Sequence, residues 1–230
     1  MTEKKRIQTI LNQLDTFYEK DVKCYLDHET PLQLLIATIL SAQCTDDRVN
    51  SVTKDLFVKY KNAEDFAKAS LKELEQDVKS TGFYKNKAKN IKACATTIYE
   101  QYGGEVPQDL EALTELAGVG RKTANVVRGN IFKIPSIVVD THVKRISIRW
   151  GITLCTDPVA IEMDLMKKLP KEHWIRYNTQ VIAHGRAICT ARAPKCTACM
   201  FLAVCPYGLS KQLESLTEEA QEALDKGHMY

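Results

Sequence analysis

Residues 32–42, LQLLIATILSA, are apolar nearly all round. A helix that is hydrophobic on every side has no face to give to water, so other elements must surround it. Its start is well defined. Thr30 is a natural N-cap, Pro31 suits the first helical position, and Gln33 stands three residues on from the cap. No apolar run reaches about 18 residues, so the segment is read as a central core helix and no membrane span is expected.

The elements available to surround it are helical as well. Residues 4–19 set Ile7, Ile10, Leu11, Leu14 and Phe17 on one face, and Val49, Val52, Leu56, Phe57 and Tyr60 repeat the pattern further on. Ser70-x-x-Glu73 reads as a capping box opening a short helix, and Gly103-Gly104 as the C-terminal cap of the next one. Asp157-Pro158 opens a helix reaching Leu169, and residues 174–184 form another that Gly185 should stop. The one β-branched run, IPSIVVDTHV, finds no second strand, so it is taken as extended chain feeding a helix. The expected class is all-α, with 230 residues enough for one large core or two small ones.

With 32 basic and 29 acidic residues the net charge is only +3, too little by itself to imply a nucleic-acid partner. The opening MTEKKRIQTILNQL is charged and amphipathic without a signal-peptide core, so a cytosolic setting is expected. In a reducing compartment the eight cysteines do not read as disulfides. Cys24, Cys44, Cys94 and Cys155 are scattered and read as buried thiols. Cys189, Cys196, Cys199 and Cys205, spaced C-x6-C-x2-C-x5-C, can surround one centre. Zinc sets usually come as two CxxC pairs, and only one is present here. The spacing therefore favours one cuboidal [4Fe-4S] cluster, with zinc as the alternative. Arg186, Arg192 and Lys195 nearby would make the region basic.

Residues 109–132, DLEALTELAGVGRKTANVVRGNIF, read as helix, tight turn, helix. Asp109 is the first N-cap, Leu110, Leu113 and Leu116 recur at helical spacing, and Gly118 and Gly120 bracket Val119. A Gly-x-Gly turn allows positive φ and brings backbone amides close to whatever lies outside. Amides at a helix N-terminus hold anions, so a phosphate is the natural ligand, gripped without reading sequence. Lys122 stands just beyond. The helix dipole and partial burial would both favour its neutral amine, a nucleophile toward a sugar C1′. A lysine there also reads as a plain phosphate contact, and Asp140 alone reads as an N-cap. In the loop STGFYKNK, Phe83 and Tyr84 interleave with Lys85, Lys87 and Lys89, which suits stacking on bases beside phosphates; an aromatic anchor on the core is the other reading. Ser41, Gln43, Thr45 and Asp46 either bring polar groups to the end of the buried helix or simply cap the next one.

Together these residues resemble endonuclease III, a family of the helix-hairpin-helix DNA glycosylase superfamily. The resemblance is carried by LAGVGRKTANVV, by VVDTHVKRI with Asp140 eighteen residues after Lys122, and by the cysteine spacing. SAQCTD at 41–46, GFYKNKAKNI at 82–91 and HGRAIC at 184–189 extend it over about residues 30–205, in order. It implies a six-helix barrel at about 22–133 that contains the hairpin. It also implies an iron-sulfur domain from 1–21 and 134–210, a DNA cleft between the two, and a tail at 211–230.

By the same resemblance Lys122 is the nucleophile that displaces the base and forms a Schiff base, and Asp140 is its carboxylate partner. Gln43 and Phe83 fill the gap left by the extruded base. Gly118, Val119 and Gly120 hold phosphate, Arg192 and Lys195 add basic contacts, and the four cysteines carry the [4Fe-4S] cluster. The implied activity is base excision repair: an N-glycosylase for oxidised pyrimidines that is also an AP lyase, cutting 3′ to the abasic site by β-elimination. The expected partner is double-stranded DNA containing oxidised pyrimidines or abasic sites. The protein would act as a monomer, at the nucleoid in a prokaryote.

Departures from the family pattern are Ala117 where proline is usual, Phe83 where leucine is common, Cys44 where alanine is common, and a longer tail. A mismatch glycosylase of the same superfamily generally lacks the hairpin lysine, so Lys122 argues against it. The Lys122 and Asp140 pair argues against a DNA-binding module without catalysis.

Overall fold

Local capping rules account for where most of the helices begin. Thr30 forms the full box: its Oγ1 accepts from the Gln33 amide at 3.2 Å, and Gln33 Oε1 accepts from the Thr30 amide at 3.3 Å. Thr2, Thr45, Asn62, Asp109, Asp140 and Asp157 each accept a bond from the amide three residues on. Each such cap contributes about 1 kcal/mol. Ser70 does not follow the expectation. It occupies the N-cap position but makes no side-chain cap bond, and Glu73 instead pairs with Lys59 at 2.7 Å.

The computed structural model describes residues 1–20 and 24–227, with side chains to residue 218. The described residues form helices and no strand, and the chain divides into two units, Lys23–Ser136 and Met1–Val22 with Ile137–Tyr230.

Lys23–Ser136 contains α2 (Pro31–Leu40), α3 (Asp46–Lys59), α4 (Ala63–Lys68), α5 (Leu71–Asp77), α6 (Tyr84–Gln101), α7 (Leu110–Glu115) and α8 (Arg121–Asn130). The apolar helix α2 is the centre of this unit, packed against α3, α6 and α8. Leu34, Leu35 and Leu40 are wholly buried, each contributing roughly 1.5–3 kcal/mol relative to exposure. The long α6 supports α4 and α5 and buries Ala88, Ile91, Cys94, Ala95 and Ile98. It ends as expected, with the Gly104 amide bonded back to Ile98 O at 3.0 Å. Helix α4 is too short to show periodicity and is not foreseen in the sequence.

The second unit contains α1 (Glu3–Phe17), α9 (Thr141–Arg149), α10 (Pro158–Lys168), α11 (Trp174–Ala187) and α12 (Pro206–Gly227). Ile7, Ile10, Leu11 and Leu14 of α1 are buried, whereas Phe17, in the last turn, is 53% exposed and leaves the expected stripe. Arg176 on α11 forks onto Asp15, donating from Nε to Oδ1 at 2.9 Å and from Nη2 to Oδ2 at 3.1 Å. Gln180 Nε2 adds a third bond to Oδ1 at 3.1 Å. Residues 135–140 lead into α9 and form no strand.

Gly185 does not end α11, which continues to Ala187. A Cβ there would collide with His142 Nδ1 and stand 3.0 Å from Arg145 Nη2, so the glycine lets α11 approach α9. Among the described residues, no helix is long and apolar enough to cross a membrane.

Candidate functional site

The hairpin forms where the sequence puts it. After α7 the chain tightens, with the Leu116 amide bonded to Leu113 O at 3.2 Å and the Val119 amide to Leu116 O at 3.1 Å. Gly118 takes φ +76° and lies against α6, where an added Cβ would meet Asn90 Cβ at 2.8 Å. Gly120 differs, with an ordinary φ of −87° and open space where its Cβ would be. Val119 is turned inward, its side chain buried in the core and its amide committed to the turn. Gly120, the N-cap of α8, has no side chain to cap the positive end of that helix.

Lys122 is the second residue of α8, and its side chain is exposed. The partial burial expected from sequence is therefore absent, because the apolar face of α8 is carried by Ala124 and Val127, which sit lower on the helix. Half-buried Cys24 lies within electrostatic reach: burial pushes its thiol pKa up, while the Lys122 charge pulls it down. Nothing local in the sequence signals that neighbour.

Two loops of the same unit bear exposed side chains on strained backbone. Gln43 follows α2 with φ +53°, and Phe83 precedes α6 with φ +47°. Phe83 is 65% exposed, so the reading as an anchor on the core fails for it, while its neighbour Tyr84 does pack against that core. A bulky residue at positive φ is uncommon, and such strain gathers at functional sites. Lys87 also departs from expectation. Rather than reaching out to phosphates it is 4% exposed, with Nζ donating to Leu40 O and Thr81 O at 2.8 Å each.

In the other unit Asp140 is half-buried and caps α9, Oδ1 accepting from the Val143 amide at 2.8 Å. Burial lowers the His142 pKa, and Asp140 opposes that shift while Arg145 and Arg186 add to it.

The four clustered cysteines line one narrow cavity together with Trp150, His184 and Tyr207. Among the described residues, no group of three or more His, Cys, Asp or Glu side chains stands close enough to hold a single metal ion. Burial and the neighbouring thiols raise Cys196, Cys199 and Cys205, with Cys199 reaching about 11. Charged donors and amides already point at the sulfurs: Arg149 Nη1 donates to Cys189 Sγ at 3.2 Å and the Gly208 amide to Cys205 Sγ at 3.3 Å.

Arg149 also donates to Thr190 O and Ala191 O and stacks over Tyr207, which ties down the start of the loop. His184 is wholly buried, which lowers its pKa to about 4. The neutral ring has Tyr18 Oη 2.8 Å from Nδ1 and Cys199 Sγ 3.8 Å from Nε2. Tyr18, Arg149, Trp150 and Gly208 are not singled out by the sequence, and His184 enters only through HGRAIC. Arg192 and Lys195 are exposed and share a surface depression with Lys211.

Comparison with known proteins agrees with this arrangement. The sequence model of the HhH-GPD superfamily base excision DNA repair protein matches residues 36–171. Endonuclease III of Synechocystis sp. is 50% identical over 206 residues, 89% of this chain and 94% of that protein. The fold is similar to a non-covalent endonuclease III–DNA complex, with TM-score 0.86 and 44% identity over 92% of this chain and 99% of that one. It is also similar to a trapped endonuclease III–DNA covalent intermediate, with TM-score 0.86 and 45% identity over 92% of this chain and all of that one. The chain therefore belongs to the endonuclease III family, within the HhH-GPD superfamily of base excision DNA repair proteins.

Proposed function

We propose that this chain is a bifunctional DNA glycosylase and AP lyase that removes oxidised pyrimidines from double-stranded DNA, with Lys122 as its nucleophile. One observation carries the reading. An exposed amine stands at the N-terminal turn of α8, in a chain 45% identical to an endonuclease III trapped covalently on DNA.

A pyrimidine has to leave the stack before C1′ can be reached, and Gln43 and Phe83 are the side chains that would occupy the gap. The α8 N-terminus, with Gly118 and Gly120 beside it, grips backbone phosphate independently of sequence, while Val119 anchors the turn. Arg192 and Lys195 add basic contacts. The Lys122 amine, reacting as the free base, forms a bond to C1′ as the C1′–N1 bond breaks and the base leaves with a proton. The sugar ring then opens at its C1′–O4′ bond, O4′ taking a proton, and the Schiff base so formed at C1′ makes the C2′ proton acidic. Its removal expels the 3′ phosphate by β-elimination. Asp140 is assigned the charge-stabilising and proton-transfer role, which its position at the N-terminus of α9 leaves open because one oxygen suffices for the cap.

Cys189, Cys196, Cys199 and Cys205 are assigned one [4Fe-4S] cluster, supported by four thiols on one cavity with hydrogen-bond donors already aimed at two of the sulfurs. Such a cluster supplies a structural hub, and the reaction above takes no electron from it. We assign the barrel to residues 22–133, the cluster domain to 1–21 and 134–210, and a tail to 211–230. The enzyme works as a monomer in the cytosol, at the nucleoid in a prokaryotic cell.

Borohydride trapping on a thymine-glycol duplex tests the central step. The wild-type protein should form a covalent adduct, and Lys122→Ala should form none, with excision falling roughly 10³-fold or more. An adduct that survives Lys122→Ala would sink the assignment.

A further inference from the structure

Gln43 and Phe83 belong to different loops, yet one buried cation holds the base of both. Leu40 O closes α2 three residues before Gln43, and Thr81 O lies two residues before Phe83. Lys87, from the first turns of α6, donates to both carbonyls at 2.8 Å. Burial lowers its pKa, with the neighbouring Cys44 the opposing influence. A buried ammonium is an expensive way to fill space, and an apolar side chain of similar volume usually serves stability as well or better. What it offers instead is a fixed distance. Its site at the negative end of α2 suits the charge, and two short bonds leave little freedom between the two backbones.

We infer that Lys87 is a positioning residue, its ammonium tying the end of α2 to the turn before Phe83 and so setting the spacing of the two side chains that enter the DNA. This rests on the gap-filling reading of Gln43 and Phe83. Held this way, both loops keep their positive-φ residues aimed outward before DNA arrives, and binding does not have to order them. Lys92 offers a contrast, since it also donates to two carbonyls, Ala67 O and Ala69 O, but both lie at the C-terminal end of α4 and join no second loop.

The test is a double-mutant cycle read by single-turnover excision from a thymine-glycol duplex. Gln43→Ala and Phe83→Ala are each expected to slow excision about tenfold, and Lys87→Met by a similar factor. In the Lys87→Met background, either alanine substitution should then cost less than about twofold more, because the loops have already lost their spacing. Lys87→Met should also slow duplex excision about tenfold more than it slows cleavage of a single-stranded abasic site, where there is no gap to hold.

Full multiplication of the effects, or equal slowing on both substrates, overturns the inference and leaves the gap-filling reading intact. If Gln43→Ala and Phe83→Ala leave excision unchanged, that reading fails and the inference goes with it. Lys87→Gln, which removes the charge and ends one bond short of the Lys87 nitrogen, runs the same cycle should Lys87→Met not fold.

Discussion

Gly118 and Asn90 are so close that a Cβ on the first would stand 2.8 Å from Cβ of the second, so the hairpin turn lies on α6 only because residue 118 has no side chain. Gly118→Ala combines that clash with a φ of +76°, and should cost about 1–3 kcal/mol. Gly120→Ala meets neither obstacle and should leave the melting temperature almost unchanged. Both should weaken DNA affinity evenly across sequences, since backbone amides read no bases. Thermal melts and anisotropy titrations on several duplexes check this. An affinity loss confined to one sequence contradicts the backbone grip.

Asp140→Asn separates capping from chemistry. Asparagine caps as well as aspartate, so the bond to the Val143 amide and the stability of α9 should persist within about 0.5 kcal/mol. Excision and trapping should nevertheless fall by roughly 10²-fold, because the carboxylate charge is gone. A variant that melts normally and excises at the wild-type rate leaves Asp140 as a cap and nothing more.

Protein purified without air should be brown and contain iron and acid-labile sulfide. Stoichiometric zinc would reject the cluster. Arg149→Lys cannot reproduce the fork that bonds Cys189 Sγ, Thr190 O and Ala191 O. It should lose iron to a chelator several-fold faster than wild type, followed by the visible absorbance.

Burial tends to raise the Asp15 pKa, but the bonds from Arg176 and Gln180 and the Arg176 charge outweigh it and hold the group below its ordinary value. A carboxylate depressed in the folded state stabilises above its unfolded pKa, near 3.9, and that stability is lost as pH falls through the folded value. Asp15→Asn should therefore melt lower than wild type at pH 7, by about 2–4 °C per kcal/mol lost, with the difference closing below about pH 4. A gap of constant size across that range would show that the charge is not what joins α1 to α11.

What could be read in the sequence was whatever is decided within a few residues. The Thr30 box, the Asp109 and Asp140 caps, the Gly104 stop and the all-round apolar α2 each follow from local spacing. So does the crowding of four cysteines that the fold gathers on one cavity. The exceptions come from partners far along the chain. Glu73 left its box for Lys59, and Gly185 was kept for closeness to α9 rather than to stop a helix. Lys87 looked like a phosphate contact because it stands with Lys85 and Lys89 beside Phe83 and Tyr84, and only packing reveals that its ammonium is enclosed while theirs are exposed. Lys122 shows the reverse, exposed where burial was expected. His184 and Arg149 serve the cysteine loop from other helices, which spacing alone does not disclose.

The pairing of α1 with α11 also bears on how the chain emerges from a ribosome. Asp15 and Arg176 are 161 residues apart, an interval of on the order of 10–30 s at ordinary rates of synthesis. Throughout that time Ile7, Ile10, Leu11 and Leu14 have none of their α11 partners, whereas the core of Lys23–Ser136 is complete as soon as that continuous segment is out. The segment made second is thus positioned to fold first. Helix α1, made before it, waits as an uncovered apolar stripe that a chaperone could shield.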